Sequence, residues 1–97
     1  MAKSLYVMHI GKFGRVADEV IHRHVEHLRK LDDSGRLVVC GPINGLDGVA
    51  GMVVFKAKSR KDAEAVCQAE PLVAEGHSTY SLHTLTVADK SNNFLLG

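Results

Sequence analysis

Apolar residues follow two different spacings along this 97-residue chain, and the change from one spacing to the other predicts the elements. Short continuous apolar runs, bounded by glycine, proline or tight-turn pairs, predict buried strands. Three such runs and one segment rich in Thr and Ser cover residues 5–10, 36–42, 49–55 and 78–87. Because the turn pairs Asn44-Gly45 and Asp47-Gly48 separate the second run from the third, these two strands are predicted to form a hairpin.

The first helix is predicted over residues 16–33. Its apolar stripe recurs at three- and four-residue spacing and consists of Val20, Ile21, His24, Leu28 and Leu31. Acidic residues in the first turn and basic residues near the last turn interact favourably with the helix dipole. Gly35 is placed to end the helix in the left-handed conformation. His24 puts a titratable ring where a leucine is the default, so the stripe faces either a core or a cleft.

A second helix is predicted from the pattern Ser59 to Asp62, in which a serine precedes an acidic residue by three positions. Its apolar face is made by Ala63, Val66 and Cys67, and position 70 continues that face with a glutamate. Pro71 holds Glu70 out of helical geometry and either ends or redirects the helix. Residues 71–76 are predicted to add one short helical turn, with the proline at its first position.

The order strand, helix, strand, strand, helix, strand predicts an α+β protein with the ferredoxin-like βαββαβ arrangement. Right-handed crossovers place both helices on one face of a four-stranded antiparallel sheet. The other face is also apolar, and a second copy is the simplest cover, which gives a dimeric α+β barrel. Residues 1–97 are interpreted as one domain, in which residues 89–97 form a C-terminal tail that either frays or docks on a partner surface.

Composition narrows the classes of function. The content of 45% hydrophobic and 24% charged residues is ordinary for a globular protein. A net charge of +1 and few aromatic residues argue against a nucleic-acid partner. No apolar run is long enough to cross a membrane or to act as a signal peptide. Cys40 and Cys67 form no motif, so the chain is expected to be a reduced, cytoplasmic protein with two free thiols.

The chain resembles the YciI-like family over nearly its whole length. The residues that carry the resemblance are Arg23-His24, His27-Leu28, Leu31, Gly35 to Leu37, Gly41-Pro42, Ala63 to Ala65, Glu70-Pro71 and Gly76. The resemblance implies a dimeric α+β barrel and small-molecule chemistry on cyclic compounds, one related activity being dehydrochlorination. It also implies that His24 and Glu70 are an acid/base pair. The family usually has Asp-Pro where this chain has Glu70-Pro71, which lengthens the carboxylate arm by one methylene.

Several residues are candidates for a site, each with a structural alternative. The pair of His24 and Glu70 is either catalytic or a buried pair that joins two helices. The candidates for substrate binding are Arg23, His27, Gly41, Pro42 and His9. The structural alternative for His27 is a half-exposed helix residue, and that for His9 is a structural strand residue. Gly41 and Pro42 are alternatively explained by the needs of a turn.

No cofactor or metal is expected. His24 and His27 share a helix face, and a third ligand would have to come from His9, His77 or His83, but His22 points elsewhere and the zincin spacing is absent. No glycine fingerprint for a dinucleotide opens either helix. Two functions remain, both with a homodimer and a small-molecule ligand. One is an enzyme of the lyase, isomerase or dehydrohalogenase type that acts on a small organic molecule, and the other is a non-catalytic binding or accessory module.

Overall fold

A computed structural model describes residues 3–97 and has the predicted α+β architecture. Its elements, in chain order, are β1 (Ser4–Gly11), α1 (Asp18–Asp33), β2 (Leu37–Pro42), β3 (Val49–Phe55), α2 (Arg60–Ala69), α3 (Pro71–Ala74), β4 (Tyr80–Thr86) and a 3₁₀ helix (Lys90–Leu95). The strands form one sheet in the order β2-β3-β1-β4, and every neighbouring pair is antiparallel. The ferredoxin-like fold predicted from the sequence is therefore confirmed.

Helix α1 begins two residues later than predicted. Ala17 is extended, with φ −66° and ψ 151°, and has no side chain that could cap the helix. At the other end Gly35 adopts φ 77°, as expected. In this conformation the amide of Gly35 donates to the carbonyl of Asp32 at 2.9 Å and that of Arg36 to Leu31 at 2.9 Å, so the last turn keeps its hydrogen bonds.

The two faces of the sheet have different surroundings. One face packs against the helices, and its central side chains are Met8, Ile10, Val53, Phe55 and Leu82. The helices contribute their predicted stripes to this core, including Val20, Leu31, Ala63, Val66 and Cys67. Phe55 and Cys67 are fully buried. Burial of a side chain as large as Phe55 contributes about 1.5–3 kcal/mol to folding.

The opposite face of the sheet, here called the open face, carries the alternate residues of each strand. Their pairing places Val7 beside Val54 and His83, and His9 beside Met52 and Ser81. The side chains of α1, α2 and α3 that join the core pack on the other face. Val39 and Leu85 remain 53% and 47% exposed on its outer strands.

The tail folds into the short 3₁₀ helix, which the sequence did not predict. Asp89 caps it, because its side chain accepts a hydrogen bond from the amide of Ser91 at 2.9 Å. Phe94 is 67% exposed and Leu96 82% exposed, so the tail does not pack against the core of this chain. No helix in the part of the chain that the structure describes is long and apolar enough to cross a membrane.

Candidate active site

His24 and Glu70 meet although 46 positions separate them in the chain. Nδ1 of the imidazole and Oε1 of the carboxylate form a short hydrogen bond between α1 and the end of α2. Glu70 is 1% exposed, whereas the His24 side chain keeps 20% of its surface exposed. Each residue continues the apolar stripe of its own helix, and both stripes face the same side of the sheet. The carboxylate therefore lies at the back of the pair, and the ring lies nearer to solvent.

Glu70 is held in position by the chain on both sides of it. Pro71 disfavours helical geometry at the preceding residue, and Glu70 has φ −65° and ψ 123°. Helix α2 ends there, and α3 begins with the proline at its first position. The second carboxylate oxygen, Oε2, accepts a hydrogen bond from the amide of Leu72 at 2.9 Å. One residue thus ends α2, caps α3 and orients the imidazole of His24.

The contact with Glu70 determines which nitrogen of His24 is free. An ionised carboxylate only accepts hydrogen bonds, so Nδ1 carries the hydrogen and Nε2 of the neutral ring has a free lone pair. Nε2 has no hydrogen-bond partner within residues 3–97. In the same range, no buried side-chain nitrogen or oxygen lacks a partner. Nε2 is therefore accessible rather than sealed in the core.

A cavity of about 280 Å³ lies beside His24. Apolar side chains from α1, α3, β1 and the loop after β1 form its walls, among them Ile10, Phe13, Ile21, Leu28 and Leu72. The hairpin of β2 and β3 closes another side with Gly41, Pro42, Ala50 and Gly51. Among the described lining residues none is Asp, Glu, Lys or Arg. His24 and Cys40 are the titratable groups of this lining, so the cavity is mainly apolar and has one imidazole at its wall.

Two of the candidate substrate-binding residues, Gly41 and Pro42, line this cavity. A Cβ added to Gly41 would meet nothing within 4 Å, so space is open at that residue. At Gly51 on the facing strand, an added Cβ would lie 3.1 Å from the carbonyl oxygen of Gly41. The two strands approach closely there. We infer that this close approach shapes the cavity wall.

Arg23 lies on the surface instead. Its guanidinium binds both carboxylate oxygens of Glu75, with Nε to Oε2 at 3.0 Å and the second contact at 2.7 Å. This bond lowers the pKa of the Glu75 carboxyl and raises that of Arg23. Arg23 is not part of the cavity lining. The pair joins α1 to the residue that follows α3.

His27 and His9 also lie away from the cavity. His27 borders a separate groove with Leu31 and Val66, between α1 and α2. Burial lowers the pKa of His27, partly opposed by the negative charge of Glu70 and the backbone carbonyl of Val66. His9 points to the open face, because it pairs with Met52 and Ser81, one residue out of phase with buried Met8 and Ile10. The structure therefore brings together His24, Glu70, Gly41 and Pro42, and separates them from Arg23, His27 and His9.

Sequence reasoning missed two features of the site. The amide of Leu72 is the second partner of Glu70, and the position of Pro71 was the available signal, because the residue before an N1 proline is the helix cap. Cys40 lines the cavity, and no local motif indicated it. Both cysteines are free. Cys67 is fully buried, and burial raises the pKa of its thiol to about 12.

Within residues 3–97, no group of three or more His, Cys, Asp or Glu side chains is arranged to hold a metal ion. His22 is exposed on α1 and joins neither His24 nor His27 in such a group. The arrangement can accept a proton at Nε2 of His24 and return it.

The matches found by comparison with known proteins include a family model, a relative and a solved structure. The model of the YCII-related domain matches residues 3–85. The uncharacterized protein YjpA of Bacillus subtilis (strain 168) is 31% identical over 77 residues, which cover 79% of this chain and 88% of that protein.

A solved structure of similar fold is that of 5-chloro-2-hydroxyhydroquinone dehydrochlorinase (TftG) from Burkholderia phenoliruptrix AC1100, in complex with 2,5-dihydroxybenzoquinone. It superposes with a TM-score of 0.58 and covers 91% of this chain and 97% of its own. At 16% identity this similarity establishes a shared fold.

Proposed function

This chain belongs to the YCII-related domain family, and we propose that it is an enzyme in which His24 transfers a proton to and from a small, uncharged, cyclic molecule. One observation carries the proposal: a buried carboxylate orients an accessible imidazole at the wall of an open apolar cavity. The reaction is of the elimination or isomerisation type. Glu70 and His24 are the proposed catalytic pair, and Gly41 and Pro42 are proposed to contact the substrate.

The proposed chemistry begins at Nε2. This atom takes a proton from a hydroxyl or from an acidified C–H group of the substrate, and the ring becomes an imidazolium. Glu70 does not move and stabilises the new positive charge through Nδ1. In an isomerisation, Nε2 returns the proton to another carbon of the same molecule. In an elimination, the electron pair left behind expels an anionic leaving group, and the imidazolium releases its proton to water.

The cavity supports an uncharged substrate. A carboxylate or phosphate group would find no lysine or arginine in the described lining and would have to lose its hydration without compensation. The size fits one substituted ring, because an engineered apolar cavity of about 150 Å³ is already large enough for benzene. A hydroxyl or carbonyl on such a ring can reach Nε2 while the ring contacts the aliphatic walls. The dehydrochlorinase of similar fold has a hydroxylated quinone as its ligand, which agrees in chemical class.

The test is a matched panel of ligands. Hydroquinones, chlorinated hydroquinones and small cyclic ketones are compared with carboxylated analogues by ligand-observed NMR, and turnover is followed by chloride release and by absorbance. We expect the uncharged rings to bind and at least one to react, and His24→Gln to abolish turnover. The control is His22→Gln, which changes an exposed histidine of the same helix. If compounds bind but none of them reacts, the result would favour the non-catalytic module. Preference for the carboxylated analogues would refute the proposed substrate class.

We also propose that a second copy covers the open face, which gives the dimeric barrel. This face carries Val7 and Val54 on its two central strands and Val39 on the edge strand β2, and its paired rows contain no Asp, Glu, Lys or Arg among the described residues. A two-fold interface brings a patch against itself, so a patch without charge is self-complementary, whereas like charges would repel. Light scattering should give the mass of a dimer. Val39→Lys should shift the protein to monomer, and Val25→Lys, an exposed position on α1, should not.

A further inference from the structure

Two histidines lie side by side on the open face, away from the catalytic cavity. His9 is on the central strand β1 and His83 on the edge strand β4. His9 pairs with Ser81, and His83 pairs with Val7, so the two are diagonal neighbours on the same face. Their ring centroids are 6.3 Å apart, and their planes are inclined by 59°.

Neither ring has another role among the described residues. No side-chain hydrogen bond or ion pair within residues 3–97 involves His9 or His83. Their neighbours in the paired rows are Val7, Met52, Val54 and Ser81, so no charged side chain from β1, β3 or β4 competes for the imidazoles there. Two imidazoles thus stand next to each other on neighbouring strands of the sheet. Imidazole nitrogen is a preferred ligand of zinc, copper and nickel ions.

We propose that His9 and His83 chelate a divalent transition-metal ion on the open face. A tetrahedral ion with Zn–N distances of about 2.0–2.1 Å would hold two ring centroids roughly 5 Å apart. The observed 6.3 Å is wider by little more than 1 Å, a gap that side-chain rotation can close without moving the strands. The two rings supply two ligands, and water or the same pair of a second copy completes the coordination. Strands β1 and β4 already fix the spacing, so chelation requires the ordering of the two side chains alone.

The inference does not depend on the proposed enzyme activity. His9 and His83 are not part of the cavity lining, so their substitution should leave ligand binding at His24 unchanged. It does not depend on self-association either, because one chain supplies both rings. If a second copy covers this face, the ion lies at the interface. The molar ratio then distinguishes one ion per chain from one ion shared by two chains, and both ratios support the assignment provided that both histidines are needed.

The experiment is calorimetric titration of the full chain with Ni²⁺, for the unaltered protein and for single variants. We expect His9→Gln and His83→Gln each to weaken Ni²⁺ binding on the order of tenfold or more, because each removes one of two protein ligands. The controls are His22→Gln and His77→Gln, both at exposed histidines, and His27→Gln, which tests the helical neighbour of His24. The controls should bind as the unaltered protein does, and the far-ultraviolet spectrum of every variant should be unchanged.

Three results would overturn the assignment. The first is that the unaltered protein does not bind Ni²⁺. The second is that His9→Gln or His83→Gln binds Ni²⁺ with an affinity within about twofold of that of the unaltered protein. The third is that His27→Gln loses Ni²⁺ binding. A mapping experiment provides a second, independent readout. Ni²⁺ should broaden the amide resonances of β1 and β4 near these two residues and leave those of α1 sharp. Broadening centred on α1 would place the ion at His22, His24 or His27 and refute the proposal.

Discussion

Replacement of Glu70 by glutamine or by leucine should separate the two functions that its carboxylate combines. In the structure Oε2 caps α3 through the amide of Leu72, and Oε1 orients His24. Glutamine keeps the size of the side chain and one acceptor oxygen. Leucine keeps most of the bulk but has no acceptor. The pair of variants therefore tests the cap and the orientation of the imidazole one at a time.

The expected stability follows from the burial of the groups left behind. Leucine at position 70 leaves the amide of Leu72 unpaired in a region where that residue is 2% exposed. An unsatisfied buried donor costs about 1–3 kcal/mol. A loss of about 2 kcal/mol lowers the melting temperature of a domain of this size by roughly 8–16 °C. Glutamine should lose about 1 kcal/mol or less, because its carbonyl oxygen can still accept from Leu72.

Glu70→Gln should change the tautomer of His24 although it changes stability little. When the amide oxygen of glutamine faces Leu72, its NH₂ group faces Nδ1 of His24 and can only donate. The imidazole must then accept at Nδ1 and carry its hydrogen on Nε2, so the free lone pair on Nε2 is lost. Glu70→Gln should therefore be nearly as stable as the unaltered protein but inactive in the proposed proton transfer.

The assays are urea or thermal unfolding for stability and ¹⁵N spectra of the imidazole for the tautomer. Equal stability of Glu70→Gln and Glu70→Leu would refute the assignment of the Leu72 cap. A hydrogen that stays on Nδ1 in Glu70→Gln would refute the argument that the carboxylate sets the tautomer. Gln68→Glu, a change at an exposed position on α2, provides a control for the alteration of charge near this helix.

Three further predictions concern other parts of the chain. Gly35→Ala should destabilise the fold by about 1–2 kcal/mol in urea unfolding, because φ is +77° there, whereas Gly14→Ala should change it little. Burial lowers the pKa of His27, so the stabilising effect of its neutral form is present above about pH 6.5 and is lost as pH falls through the lowered pKa. His27→Gln should remove that part of the pH dependence of unfolding, and an unchanged profile would contradict it. A thiol reagent should count two free thiols in the denatured protein. In the folded protein at pH 8 only Cys40 should react rapidly, because burial raises the pKa of the Cys67 thiol to about 12. Rapid modification of both would contradict it.

Much of the fold could be predicted from local patterns because those patterns have physical causes that act over a few residues. The apolar stripe of α1 and the left-handed Gly35 placed one helix. The serine cap at Ser59 and the restriction imposed by Pro71 placed the next two. Where local chemistry was weak, prediction was poorer. Ala17 cannot cap a helix, and the start of α1 moved by two residues. The tail has no apolar period, and its 3₁₀ helix begins at a reciprocal cap between Asp89 and Asn92.

The sequence by itself determined the element order, the family resemblance and the two polar residues, His24 and Glu70, that interrupt apolar stripes. Only the tertiary structure decided which residues lie together at the cavity. The sheet alternates the direction of successive side chains, so His9 belongs to the opposite face although it follows Met8, which is buried under the helices. The helices direct Arg23 to Glu75 and His27 to another groove, whereas Gly41 and Pro42 reach the cavity from a distant strand. The spacing of residues within one element sets which side chains share a face, but which elements pack against that face depends on the tertiary structure.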